Sequence, residues 1–427
     1  MKRIILLFFI CSLLGLHGQE VFSIVAHPGG NAACEANISW ASLQRGTYIR
    51  YATLRQARSK PLASLRVIQP CQEELCTTYD SIYSKSSHGE NIHEYPHFIK
   101  CGAVIQGLKK DNEYAYFICG NQDGREVCLS TLHRFKTAGA REWSATIISD
   151  FHSYTPLPQR LKAAMSMIDR TLEFDPSTDF ILQLGDVVAW GGSYSFWQRM
   201  YEEPLYARFS WAGLNGNHDN MTRQYGLSHH FFRDANYVPR NGYVGQEGIC
   251  WHFRYGDALF LMLNNEAMFK EEDLQKAQQW VRHVVTSARQ GKDKPLYVIV
   301  CEHYQWFDGV NGKCSQYSRW HELFDELGVD LALAGNNHIY LRTVPIRQGQ
   351  VATGNGTTYL QTSSSDNERG RELGELTDNK QFIPCRWTEG SRSVSALNMK
   401  VSRRHILLTL LDREGNICDQ AEVIPRK

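Results

Sequence analysis

The chain has 427 residues, more than one hydrophobic core normally serves, so at least two domains are expected. With 42% hydrophobic and 21% charged residues, it has the composition of a globular protein, which excludes intrinsic disorder. Its 46 Lys plus Arg balance 45 Asp plus Glu to a formal charge of +1, and no basic run marks a polyanion groove, so there is no electrostatic footprint for nucleic acid.

The chain opens on Lys2 and Arg3, followed by an apolar stretch from Ile4 to Leu16 that is too short to span a bilayer. This pattern predicts an export signal over residues 1–18, cleaved near Gly18–Gln19, and a secreted or periplasmic protein. Ile10 ahead of Cys11 disfavours a lipid anchor, and no other apolar run reaches transmembrane length. Twelve cysteines fit an oxidising compartment. Cys11 leaves with the signal. Six others (Cys34, Cys71, Cys76, Cys101, Cys119 and Cys128) fall in the first module, where some disulfides are expected. Cys250, Cys301, Cys314, Cys385 and Cys418 follow, and none makes a CxxC pair, which disfavours a structural zinc knuckle.

Residues 21–138 read as a β-sandwich. Short alternating runs recur at Ala36–Trp40, Thr47–Tyr51, Ala115–Cys119 and Leu132–Thr137, with turn-rich pieces between them and no helical period. Ile38-Ser39-Trp40, Gly107-Leu108 followed by Tyr114 and Tyr116, and Phe135-Lys136-Thr137 resemble a fibronectin type III module of the kind that precedes purple-acid-phosphatase-like catalytic domains.

From residue 143 to 427 the pattern changes. Strands are predicted at Ser144–Ser149, Phe180–Leu184, Trp211–Leu214, Tyr297–Cys301 and Asp330–Ala334, and a hairpin over Gly248–Asn264. Helical periods cover Pro158–Leu172, Glu271–Ala288 and Arg319–Leu327. The end, Ala396–Val423, is β-rich with a turn at Asp412–Gly415. Such alternation suggests two packed sheets with helices outside.

Five predicted strands stop in the same way, each followed by metal-ligand residue types. These are Asp150-Phe151-His152, Gly185-Asp186, Gly216-Asn217-His218-Asp219, Glu302-His303 and Gly335-Asn336-Asn337-His338. Any one of them is weak, because a lone D-x-H or G-D arises by chance in most chains of this size. Neighbouring strands bring their ends together on a rigid platform, so the ordered series points to one site.

The order D-x-H, G-D, G-N-H-D, H, G-x-x-H resembles the calcineurin-like metallophosphoesterases. Asn337-His338-Ile339-Tyr340-Leu341-Arg342-Thr343 and Tyr317-Ser318-Arg319-Trp320 look like the purple acid phosphatase branch. The resemblance implies an α+β chain, in which a four-layer αββα sandwich follows the N-terminal β-sandwich. It also implies two divalent or trivalent cations (Fe, Zn or Mn) and a small phosphate-ester substrate. Carried onto this chain, Asp186 would bridge the cations, Asp150, His152 and His338 would complete the first site, and Asn217, His303 and Asn336 would serve the second. A hydroxide held by the cations would attack phosphorus. His218 would stabilise the phosphoryl oxygens or protonate the leaving oxygen, and Asp219 would orient its ring.

Three positions depart from the family pattern. Ala189 stands where purple acid phosphatases place a tyrosinate ligand, and His152 stands where they usually have Gly, so no tyrosinate–iron colour is expected. Asn336 replaces the first His of the family's G-H-x-H, and an amide oxygen is a weaker ligand than imidazole. His229 and His230 are candidate replacements. Asn336 also supports an alternative, a catalytically weakened metallophosphoesterase fold that acts as a binding module. Aromatics at Trp190, Tyr194, Phe196, Trp197, Trp306 and Phe307 would line a substrate pocket or simply pack. The sequence names no ligand for the N-terminal sandwich.

Overall fold

The computed structural model describes residues 20–76, 98–139, 142–222, 226–227 and 230–426. The expected signal over residues 1–18, with Cys11, lies outside the described residues, and so does His229.

The N-terminal region is β-rich. Strands β1 (Val21–Pro28), β2 (Ala36–Ser42), β5 (Gln72–Cys76) and β6 (Phe98–Ile105) form one layer in the order β1-β2-β6-β5. Strands β3 (Tyr48–Thr53), β4 (Arg66–Ile68), β7 (Glu113–Gln122), β8 (Arg125–Cys128) and β9 (His133–Lys136) form the other. Their alternating apolar residues meet in a core that includes Ile38, Trp40, Tyr116 and Ile118. Trp40 donates its indole N–H to Thr47 at 2.9 Å, which satisfies its one polar atom inside the core. The Tyr114 hydroxyl accepts the Lys109 N–H at 2.9 Å and so ties the turn after Leu108 to β7.

One short helix interrupts the expected all-β reading. It is α1 (Leu54–Ser59), and it starts because Thr53 caps the Gln56 N–H, a local signal too brief to show a period. The expected disulfides are not found among the described residues. Cys119 and Cys128 are cross-strand neighbours on β7 and β8, and Cys101 is buried 3.8 Å from Thr47 Oγ1.

Two further sheets' worth of strands build the rest. Strands β10 (Trp143–Ile148), β11 (Phe180–Gln183) and β12 (Ser210–Gly213) run parallel, and the terminal meander β24 (Ser395–Val401), β25 (Ile406–Asp412) and β26 (Ile417–Val423) adds to β10. Strand β1 pairs with β12 at Ala26 and Ser210, so one ten-stranded sheet runs through the boundary expected near residues 138–143. His27 pins this seam. Its ring contacts the Trp211 carbonyl at 2.9 Å and Ser39 Oγ at 3.1 Å. Two short hairpins lie outside the main sheets: β13 (Met221–Thr222) with β14 (Gly226–Leu227), and β20 (Ile346–Arg347) with β21 (Gln350–Val351). The second large sheet comprises β15 (Trp251–Tyr255), β16 (Ala258–Met262), β17 (Tyr297–Cys301), β18 (Leu331–Ala334), β22 (Thr358–Gln361), β19 (Tyr340–Arg342) and β23 (Cys385–Trp387), in that order.

The two large sheets face each other over a core containing Trp143, Phe180, Tyr255 and Phe260. Helices α2 (Gln159–Phe174), α3 (Tyr194–Tyr201) and α4 (His230–Ala235) cover the outer face of the first. Helices α5 (Glu271–Gln290) and α6 (Tyr317–Leu327) cover the second, with Leu274, Val281, Trp320 and Phe324 turned inward. The result is the four-layer αββα arrangement, and it places the C-terminal ends of β10, β11, β12, β17 and β18 together. Among the described residues no helix is long and apolar enough to cross a membrane.

Candidate metal centre

Each of the five strand ends delivers its residue to one place. Asp150 and His152 follow β10, Asp186 follows β11, Asn217 to Asp219 follow β12, His303 follows β17, and Asn336 and His338 follow β18. To turn side chains inward so soon after a strand, the backbone adopts left-handed values at Asp150 (φ 53°), His152 (φ 42°), Asp186 (φ 51°), Asn336 (φ 64°) and His338 (φ 61°). Each such residue costs on the order of 1–3 kcal/mol, which the packed strands around it must sustain. Glycine makes the crowding feasible at Gly335, where a Cβ would lie 2.1 Å from Ser149 Oγ and 2.7 Å from Asp150 Oδ2.

At these strand ends three sets of side chains bring ligand atoms within 4.8 Å of one another: Asp150–His152–His338, His152–Asp186–His218 and Asp150–Asp186–His303. Asp186 Oδ2 lies between two rings, 3.4 Å from His152 Nε2 and 3.2 Å from His303 Nε2. Its Oδ1 accepts the His218 N–H at 2.7 Å. Asp150 Oδ2 accepts from Ser149 Oγ at 2.5 Å and from the Asn336 N–H at 2.9 Å. Asp150 Oδ1 stays free of hydrogen bonds, 3.4 Å from His338 Nε2. His303 Nδ1 donates to the Leu184 carbonyl at 2.7 Å, which leaves Nε2 facing the carboxylates.

Charge sharing follows from this crowding. Burial alone would raise the Asp186 carboxyl, but the His303 and His218 rings outweigh it and hold it well below its ordinary range. Burial alone would lower His303, but Asp186 and then Asp150 carry it up to about 10. Burial lowers the His218 ring to about 4, against the pull of Asp186.

The donor set fits cations. Asp150 Oδ1, His152 Nε2, Asn217 Oδ1 and His303 Nε2 are all buried without a hydrogen-bond partner. Unpaired buried polar atoms are rare in folded proteins, and a converging group of carboxylate and imidazole donors is what a transition-metal ion takes.

A family model described as calcineurin-like phosphoesterase matches residues 144–340, the span that carries all five motifs. These residues form a calcineurin-like phosphoesterase domain. The fold as a whole is similar to that of a purple acid phosphatase from yellow lupin (Lupinus luteus) seeds, with a TM-score of 0.71 at 14% identity over 96% of this chain and 75% of that one. It is also similar to the structure of PhoD, with a TM-score of 0.55 at 10% identity over 96% of this chain and 94% of that one. Two curated relatives, both described as uncharacterized proteins of Mycobacterium tuberculosis (strains CDC 1551 / Oshkosh and ATCC 25618 / H37Rv), are 25% identical over 170 residues, 36% of this chain. The chain thus matches 32% of the length of those relatives.

Within the phosphoesterase domain some residues sit otherwise than the sequence suggested. Asp219 does not orient the His218 ring. Its Oδ1 accepts the N–H groups of Val187 (3.0 Å) and Val188 (3.1 Å), and its Oδ2 those of Asp186 (2.9 Å) and Gly216 (2.8 Å). The ring is held instead by the Ala189 carbonyl, 2.8 Å from Nδ1. Four backbone donors at a strand–loop corner outcompete one imidazole for a buried carboxylate. The Asn336 amide Nδ2 donates to Gln305 Oε1 at 2.5 Å. The side chain of His230 lies outside the described residues, as His229 does. Of the six aromatics, Tyr194, Phe196 and Trp197 are fully packed because Tyr194–Tyr201 folds as a helix against β1 and the first sheet, and Trp306 and Phe307 are fully packed in the core between the second sheet and its helices. Trp190 is half-buried, with its ring 5.8 Å from that of His218.

Two site residues had no motif to announce them. Asp366 Oδ2 lies 3.1 Å from His152 Nδ1, and Arg369 Nη1 lies 3.1 Å from His218 Nε2. Both follow β22, a sixth buried strand that runs into polar residues, Thr362-Ser363-Ser364-Ser365-Asp366.

Proposed function

We propose that the protein is a metal-dependent phosphoesterase that hydrolyses small phosphate esters at a two-cation centre. The observation that carries this is the cluster of carboxylates and imidazoles around Asp186, which includes the unpartnered buried atoms Asp150 Oδ1, His152 Nε2 and His303 Nε2. Asp150, His152 and His338 would hold one cation, Asn217 and His303 the other, with Asp186 shared and Asn336 a further amide donor if it turns from Gln305. Two such cations supply Lewis-acid polarisation of the phosphoryl oxygens and a water of lowered pKa. The chain's own residues do the rest. The Leu184 carbonyl fixes the His303 tautomer, Asp366 faces the outer nitrogen of His152, and Asp219 fixes the Asp186 loop. The Ala189 carbonyl holds the His218 ring through Nδ1, and Arg369 faces its Nε2 at 3.1 Å.

The apolar N-terminal stretch supports export to a periplasmic or extracellular site, and the β-rich residues 21–138 support a fibronectin-type module in front of the catalytic one. The binding-module alternative rests on Asn336 alone. Hydrolysis of an aryl phosphate that disappears in Asp186→Asn, a variant that loses the shared charge, is the expected result. An Asp186→Asn protein with undiminished hydrolysis would overturn the assignment.

A further inference from the structure

Segment 362–369 leaves β22 and crosses the metal centre. Asp366 fixes its turn. Asp366 Oδ1 accepts the backbone N–H groups of Glu368 and Arg369, each at 2.9 Å, and the Ser364 hydroxyl at 2.8 Å. The other carboxylate oxygen faces His152, so the base of Arg369 is tied to a ring of the centre. Arg160 braces the outer side by donating to Glu368 at 2.7 Å.

The tip of Arg369 then meets His218, and the chemistry of that contact has one solution. A carbonyl oxygen only accepts, so the His218 Nδ1 contact with Ala189 O places the ring hydrogen on Nδ1. Nε2 of the neutral ring is then a lone pair. A guanidinium has donors and no acceptor, so Arg369 Nη1 donates to Nε2 across 3.1 Å. In this tautomer His218 has no Nε2 proton to offer an incoming phosphoryl oxygen, whereas Arg369 brings several N–H groups to the same place.

Resting on the phosphoesterase reading above, we propose that Arg369 is a phosphate-binding residue of this centre, docked on His218 Nε2 in the free protein and transferred to the non-bridging oxygens of the bound phosphoryl group. His218 is then also a positioning residue, holding the guanidinium at the rim until substrate arrives. The planar fork matches two oxygens of a phosphate. A monoester dianion presents three non-bridging oxygens and two charges, and a diester presents two oxygens and one charge. Arg369 therefore favours monoesters over diesters.

The test uses the full chain, reconstituted with Mn²⁺, as wild type, Arg369→Ala and Arg369→Lys. Calorimetric titration with inorganic phosphate reads binding without turnover, and elemental analysis reads metal content. Arg369→Ala should keep its metals and bind phosphate about 10- to 100-fold more weakly, the range for a charge-assisted hydrogen bond, with Arg369→Lys between. The ratio of kcat/KM for an aryl phosphate over a bis-aryl phosphate should fall at least about tenfold in Arg369→Ala. Unchanged phosphate affinity with metals intact, or an equal loss on both esters, would overturn the assignment. If the wild type hydrolyses no ester while phosphate binding still weakens in Arg369→Ala, the phosphoesterase reading fails and the arginine assignment stands.

Discussion

Replacing Asp219 by asparagine puts an amide NH₂ where a carboxylate oxygen now accepts two backbone N–H groups. Whichever way the amide turns, two of the four donors at Asp186, Val187, Val188 and Gly216 face another donor. A buried donor left without an acceptor costs about 1–3 kcal/mol, so the variant loses roughly 2–6 kcal/mol before relaxation. The damage falls first on the loops that carry Asp186 and Asn217. We predict a lower unfolding free energy together with metal affinity weakened by at least about tenfold, as for outer-shell partners of metal sites. Denaturant unfolding of metal-free protein and metal titration of the folded protein measure the two effects separately. Were Asp219 serving only the His218 ring, both quantities would be those of the wild type and turnover alone would fall. That result would refute the reasoning.

Three other perturbations have defined outcomes. His27 is buried and lowered by that burial to about 4, below its ordinary 6.5, so the unfolded chain takes up a proton that the folded seam rejects. Its contribution is complete above about pH 6.5 and is lost as pH falls toward 4, by up to roughly 3 kcal/mol, and His27→Gln should flatten stability across that window in pH-dependent denaturant unfolding. Asp366→Asn, which replaces the carboxylate facing His152, should weaken metal binding about 10- to 100-fold with unfolding little changed, and an unaltered metal titration would contradict its role. Asn336→His should tighten the weaker of two metal-binding steps, since imidazole outbinds an amide for such cations, and an unchanged titration would show Asn336 to be an adequate ligand.

Much of this centre was legible because its residues are coupled to strands. An apolar run that stops at Asp150, Asp186, Asn217, His303 or His338 states both the element and the direction of its end, and parallel strands bring such ends together. What the sequence hid depends on longer paths. Asp366 and Arg369 lie five and eight residues beyond β22, and only the turn held by Asp366 brings them back. Asp219 sits beside His218 in the chain, and adjacency suggested a ring partner, yet backbone donors from the neighbouring strand end claim its oxygens. The aromatic run at Tyr194–Tyr201 has too few residues to show a helical period, so its burial against β1 was not visible. The ten-stranded sheet was hidden for a similar reason, since the β1–β12 pairing joins residues 184 positions apart and leaves no local mark beyond a buried His27.

The central claim is that two cations share Asp186. Anomalous X-ray scattering from crystals of the protein reconstituted with Mn²⁺ or Zn²⁺ tests it most directly. The account predicts two peaks about 3.5–4 Å apart, flanking the Asp186 carboxylate, one near Asp150, His152 and His338 and the other near Asn217 and His303. A single peak, or metal bound away from Asp186, would contradict it.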